Sequence, residues 1–223
     1  MTTDVSDLKK HSFDAIISTN EIVYNYNVPI FVVDPFLSEA NIDQLRTKVR
    51  YLQNEKIKSN SLKSIFHYIQ SDFCFFNKGY NNSEEAIIDI CSSLHEKGLI
   101  NDTFQEEIFA HEKIAPSSYN NIAIAHTLSN NDISSFVVLS VNKKPVIWGD
   151  NKVNLIFLIS LKKEERKRKE GPSPLQSPKK EERKNFQDLF HSLTTILNDK
   201  NAYQAVLETT SFKELESVFK DYL

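Results

Sequence analysis

The chain has 223 residues, 40% of them hydrophobic and 26% charged, with 15 Phe and 8 Tyr. That composition buries a core and excludes a mainly disordered protein. Lys and Arg total 27 against 30 Asp and Glu, a net charge of -3 that does not suit a general nucleic-acid binder. No run of 18 apolar residues predicts a membrane span, and the opening MTTDVSDLKKHSFD lacks the apolar stretch of a signal peptide. A cytoplasmic protein is expected, with Cys74 and Cys91 as buried thiols rather than disulfide partners or metal ligands.

In chain order, Phe13 to Thr19 and Val28 to Val33 are short apolar runs that suit strands, the second ended by Asp34-Pro35. Ser38 caps a predicted helix with Ile42, Leu45, Val49 and Leu52 on one face. This unit is small and incomplete for an α/β domain, and it has no Gly-rich phosphate loop. The polar stretch 55–60 is the predicted boundary, which separates residues 1–54 from a domain at 61–223. Beyond it, Leu62, Ile65, Phe66 and Ile69 form a helical stripe, and Phe73 to Phe76 a short apolar run. A helix capped by Asn82 or Ser83 ends at Gly98, and Asp102 is a candidate cap for the next, which carries Phe104, Ile108 and Phe109. After Pro116 the pattern turns extended. Ile122 to Ala125, Phe136 to Val141 and Val153 to Ile159 are strand candidates apolar on both faces, the last two separated by the turn-rich NKKPVIWGDNK. Residues 162–184 hold ten basic and five acidic side chains around EGPSPLQSPKK and predict a mobile charged loop. Helices over 186–197 and 205–207 follow, with a final one capped by Ser211 and Glu214. The expected fold class is α/β, a mixed β-sheet with helices packed on its faces, preceded by the small incomplete α/β segment.

Of six histidines, His11, His67, His95 and His191 read as surface or packing residues. No HExxH, CxxC or Walker pattern is present, so metal hydrolysis and P-loop chemistry have no support, and Ser18 and Ser118 lack a nucleophile elbow. His126 differs because it ends an almost featureless buried strand, the place where α/β proteins often put their sites. An imidazole there can offer an unprotonated nitrogen to phosphorus, and the polar stretch from His111 to Asn121 is rich in donors. A packed histidine bonded to backbone is the alternative reading from spacing alone.

From about Ile69 to Leu223 the chain resembles the fructose/mannitol-type enzyme IIA domain of the bacterial sugar phosphotransferase system. The resemblance rests on an ordered set: His95 to Ile100, Phe104, Glu112-Lys113, Asn121 to His126, Lys144 to Trp148, Val153 to Leu158, and Asn198-Asp199. It implies that His126 accepts a phosphoryl group from the phosphocarrier HPr and passes it to a cysteine of enzyme IIB. Residues 14–19, 28–33 and 35–39 are similar to the latter half of a galactitol-type enzyme IIB domain, without the cysteine-bearing half. Such tandem segments occur at the C-terminus of sugar-responsive transcription regulators, so a regulator is an implied partner or parent.

The departures from the family pattern bear on mechanism. Ala125 stands where the family has Pro, and His111 where it has Arg. Ser117 is matched to a family Thr, with Ser118 an open alternative, and Asn185 stands at a second family histidine. His126 is therefore the expected acceptor, and His111, Ser117 and Asn185 its supporting pocket, with no metal or other cofactor required. The resemblance implies a regulatory phospho-acceptor. The alternatives are a transport component relaying phosphate to enzyme IIB, and a degenerate protein-binding module in which His126 is never modified.

Overall fold

The computed structural model describes residues 13–22, 27–127, 135–160 and 178–223. The chain divides into two compact units, Met1–Ser59 and Asn60–Leu223.

In the first unit, β1 (Ile16–Ser18) and β2 (Ile30–Val32) pair in parallel, with Ile16 opposite Ile30. The Asp34 carboxylate accepts the Phe36 N–H at 2.8 Å and turns the chain after Pro35. Ser38 then caps α1 (Glu39–Tyr68), its hydroxyl oxygen accepting the Asn41 N–H at 3.3 Å. Lys56 of α1 donates to both carboxylate oxygens of Asp14, at 2.7 and 2.9 Å. The polar stretch 55–60, in which the division between the units falls, is helical, since α1 runs through it unbroken. The stretch contains no Gly or Pro, and Glu and Lys are good helix formers.

The second unit is built on a five-stranded mixed sheet in the order β3-β6-β7-β5-β4. Its strands are β3 (Cys74–Phe76), β4 (Ser118–Tyr119), β5 (Ile122–His126), β6 (Phe136–Trp148) and β7 (Asn151–Ser160). β6 is parallel to β3 and antiparallel to β7, β7 is parallel to β5, and β5 is antiparallel to β4. Helices α2 (Ser83–Glu96) and α3 (Phe104–Ile114) supply Ile87, Ile90, Leu94, Phe104 and Ile108 to one face. The end of α1 joins α4 (Pro178–Asn198), α5 (Lys200–Glu208) and α6 (Phe212–Tyr222) on the other, with Ile65, Leu189, Ile196, Val206 and Phe219. Alternation along β6 divides the two cores. Phe136 and Val138 serve the first, and Val137 and Leu139 the second. Runs apolar on both faces thus end in a sheet covered on both faces.

Several local expectations change. The segment read as turn-rich is strand as far as Trp148, and the turn is confined to Gly149 and Asp150. Pro145 sits inside the register shift between Val141 and Val146, where the ladder is already interrupted and a missing N–H costs nothing. Asn82, not Ser83, caps α2 by accepting the Glu85 N–H at 2.9 Å. Asp102 does not cap α3, since its carboxylate meets His95 Nε2 at 2.7 Å. Of the charged loop expected over 162–184, residues 162–177 lie outside the described residues, and Pro178 onward is the start of α4.

Candidate functional site

β5 supplies the central group. Ala123 and Ala125 are fully buried and small, which lets α3 pack close against the strand, while Ile122, Ile124 and His126 alternate with them. On one side β5 pairs with β7 along its whole length, His126 opposite Ile159. On the other, β4 covers only Ile122 and Ala123, and the Ile124 N–H donates to the Ser117 carbonyl at 2.7 Å.

His111, in the last turn of α3, meets His126. Its ring lies 4.3 Å from that of His126, centroid to centroid, at an interplanar angle of 55°. The His111 Nδ1 is buried and has no hydrogen-bond partner among the described residues. His126 is half-buried, and its Nδ1 faces the Ile124 carbonyl at 3.3 Å. A carbonyl only accepts, so in the neutral ring the proton sits on Nδ1 and the lone pair is left on Nε2. That is the state a nucleophilic imidazole needs.

Ser117 lies beside this pair but is already committed. Its N–H donates to Glu112 Oε2 at 3.0 Å, and its hydroxyl donates to Glu112 Oε1. Ser118, the open alternative, faces elsewhere: its hydroxyl donates to the Trp148 carbonyl at 2.9 Å and accepts from Asn151 at 3.1 Å. Asn185 stands on α4, where its carbonyl accepts from the Ser64 hydroxyl at 2.8 Å. Among the described residues, no hydrogen bond or ring contact joins Asn185 to His126 or His111. Among the described residues the structure thus brings His111 to His126, ties Ser117 to the same turn of α3, and gives Asn185 no hydrogen bond or ring contact with either.

Other candidate groups are far less suited to nucleophilic chemistry. Burial pushes the thiols of Cys74 and Cys91 each up to about 12, so neither is a thiolate near neutrality. His95 and Asp102 form an exposed pair, and among the described residues no group of three His, Cys, Asp or Glu side chains is arranged to hold a metal. His11 lies outside the described residues.

In the sequence Glu112 and Trp148 are only landmarks of the resemblance. In the structure Glu112 accepts three bonds, the third from Trp148 Nε1 at 2.6 Å. One signal was available, because a carboxylate in the last turn of a helix opposes the helix dipole and calls for donors elsewhere.

Comparison with known proteins gives this geometry a context. Residues 67–170 match the family model described as phosphoenolpyruvate-dependent sugar phosphotransferase system, EIIA 2. The probable licABCH operon regulator of Bacillus subtilis (strain 168) is 24% identical over 216 residues, 96% of this chain and 30% of the regulator. The transcriptional regulator ManR of the same strain is 26% identical over 165 residues, 73% of this chain and 25% of ManR. The chain therefore spans less than a third of the length of these curated relatives. Among solved structures, the Escherichia coli complex of enzyme IIAMTL and phosphorylated enzyme IIBMTL matches with a TM-score of 0.52 at 17% identity, over 69% of this chain and 99% of that one, a likeness of fold. Residues 67–170 of the second unit are thus similar to a type 2 enzyme IIA domain of the phosphoenolpyruvate-dependent sugar phosphotransferase system, and the mixed sheet agrees with that match in fold.

Proposed function

We propose that His126 is the phospho-acceptor of this domain, that HPr is its donor, and that the phosphorylated state serves regulation in the cytoplasm. The observation that carries the reading is the His126 ring at the strand end, its Nδ1 on the Ile124 carbonyl and its Nε2 left with the lone pair. In the transfer, the Nε2 lone pair attacks the phosphorus of the donor's phosphohistidine. The donor's P–N bond breaks as the new one forms, and the electron pair returns to the donor imidazole. No proton leaves Nε2, because it carries none. Charge on the equatorial phosphoryl oxygens still requires compensation. The nearest ring is His111, which supplies a positive charge only when protonated, unlike a guanidinium. Such a site suits slow or signalling transfer better than high flux. Ser117 supports it through its backbone, since its hydroxyl is held by Glu112. Asn185 remains a proposed pocket residue on the strength of its position in sequence alone.

Both curated relatives are named as regulators, and one match runs through 96% of the chain. That supports regulation over a relay to an enzyme IIB cysteine in transport. It also supports reading the front unit as the partial enzyme IIB-like segment. The test is incubation with phosphoenolpyruvate, enzyme I and HPr. Acid-labile label is expected on the native chain and absent from His126→Ala. Equal labelling of both proteins removes His126 from the role. An unlabelled native chain beside phosphorylated HPr leaves a docking module instead.

A further inference from the structure

We infer that Glu112 is the positioning residue of this site: its carboxylate fixes the last turn of α3 to β6 and to the Ser117 segment, and so sets His111 against His126. The inference rests on the phospho-acceptor reading for its kinetic consequence and on geometry for the rest. The carboxylate, on α3, takes donors from two other segments. Trp148, at the end of β6, donates its indole N–H at 2.6 Å. Ser117, leading into β4, donates both its N–H and its hydroxyl. The Ser117 carbonyl in turn accepts the Ile124 N–H of β5 at 2.7 Å, two residues before His126. The neighbouring backbone is fixed as well: Ser118 donates to the Trp148 carbonyl, and Asn151 donates to Ser118. His111 is the residue before Glu112 and has no bond at its buried Nδ1 to hold it. Its place over His126 is therefore inherited from its neighbour. Two oxygens taking three donors fix a side chain in both direction and rotation, as a single bond cannot.

This assignment gives Ser117 a definite role. With its hydroxyl hydrogen on Glu112, it has no proton to donate to a phosphoryl oxygen while that bond is made. Glu112→Ala removes the acceptor for all three donors. Glu112→Gln keeps one acceptor oxygen, enough for the Ser117 N–H and the indole, and places an amide N–H₂ against the Ser117 oxygen.

The experiment follows two readouts in the same folded proteins, checked by circular dichroism. In the labelling reaction, Glu112→Ala is expected to slow transfer to His126 by about 10- to 100-fold, with half-saturation by phospho-HPr unchanged, as for a misplaced reacting group. Glu112→Gln is expected to fall between it and the native chain. In ¹⁵N NMR, Trp148 is the sole tryptophan, so its indole N–H gives one signal. That signal is expected to move in Glu112→Ala, together with the ring signals of His111 and His126. Trp148→Phe, which removes one donor, is expected to move the histidine signals less. Should Glu112→Ala not fold, Glu112→Gln and Trp148→Phe carry the same comparison. Native transfer rates with unmoved histidine signals overturn the assignment. If the native chain takes no label, the acceptor reading fails, and the histidine signals alone decide whether Glu112 positions His111.

Discussion

The two units use similar apolar residues to different ends. In the second, Ile, Leu, Val and Phe from six helices or helix ends close over both faces of the sheet, and Val138, Leu139, Val141 and Leu155 are essentially inaccessible. In the first, Ile16 is the single buried apolar residue among those described. Ile17, Val32, Tyr51 and Ile57 are each more than half exposed, and Phe36 is 90% exposed. The difference is one of architecture. A pair of three-residue strands and one helix enclose too little volume to bury their own side chains, whereas three layers do. The same patterning rule produced elements in both units, and only the number of layers decided whether a core formed.

The most severe way to break this comparison is native-state hydrogen exchange. Amides paired between β6 and β7, such as Leu139 opposite Phe157, should open only with global unfolding. Those of Ile16 and Val33, bonded to Pro29 and Ser18, should open locally. With ordinary domain stabilities the expected contrast is about a thousandfold or more in protection. Equal protection would mean that the first unit is held as firmly as the second. Substitution offers a finer version. Leu139→Ala, deep in the second core, should lower unfolding free energy by about 2 to 5 kcal/mol. Ile57→Ala, on exposed α1 surface, should change it by about 0.5 kcal/mol or less. Chemical denaturation of the two variants beside the native chain measures both.

The contrast also bears on what could be read in advance. The sheet and its covering helices were legible because Ile122 to Ala125, Phe136 to Val141 and Val153 to Ile159 are apolar on successive residues, a pattern that suits strands of a covered sheet and holds best in β6 and β7, whereas Ile124 of β5 is exposed. The course of α1 was not, because polarity at 55–60 signals solvent exposure, which helices and connections share. The strand after Val141 was hidden by Asn142, Lys143, Lys144 and Pro145, residues tolerated there because the register shifts at that point. At the site, His126 stood out through its position at a strand end. Its contact with His111 depends on how α3 packs against β5, a tertiary fact without a local signature. Glu112 was visible as a residue but not as a hub, since its three donors come from positions 117 and 148.

A smaller and more local effect separates the frame of the site from ordinary turns in the same unit. Gly149 joins β6 to β7 with φ of +57°, and Gly79 has φ of +78°. Either position strains an L residue by about 1 to 2 kcal/mol. Around Gly79 an added Cβ meets nothing within 4 Å, whereas at Gly149 it falls 2.9 Å from Pro116 Cβ and 3.3 Å from Pro116 Cγ. A proline ring cannot swing aside as a long side chain does, so the backbone at Pro116 must shift. Gly149→Ala should therefore cost more than Gly79→Ala, by about 1 kcal/mol or more for the added overlap. The shift also falls one residue from Ser117, which Glu112 and Ile124 hold in place. Gly149→Ala should accordingly move the Trp148 indole signal and slow labelling of His126, while Gly79→Ala should do neither. Thermal unfolding, the NMR signal and the transfer rate, taken on the two variants together, distinguish turn strain from displacement of the segment that frames His126. Identical behaviour of the two would show that Pro116 yields without carrying Ser117 along.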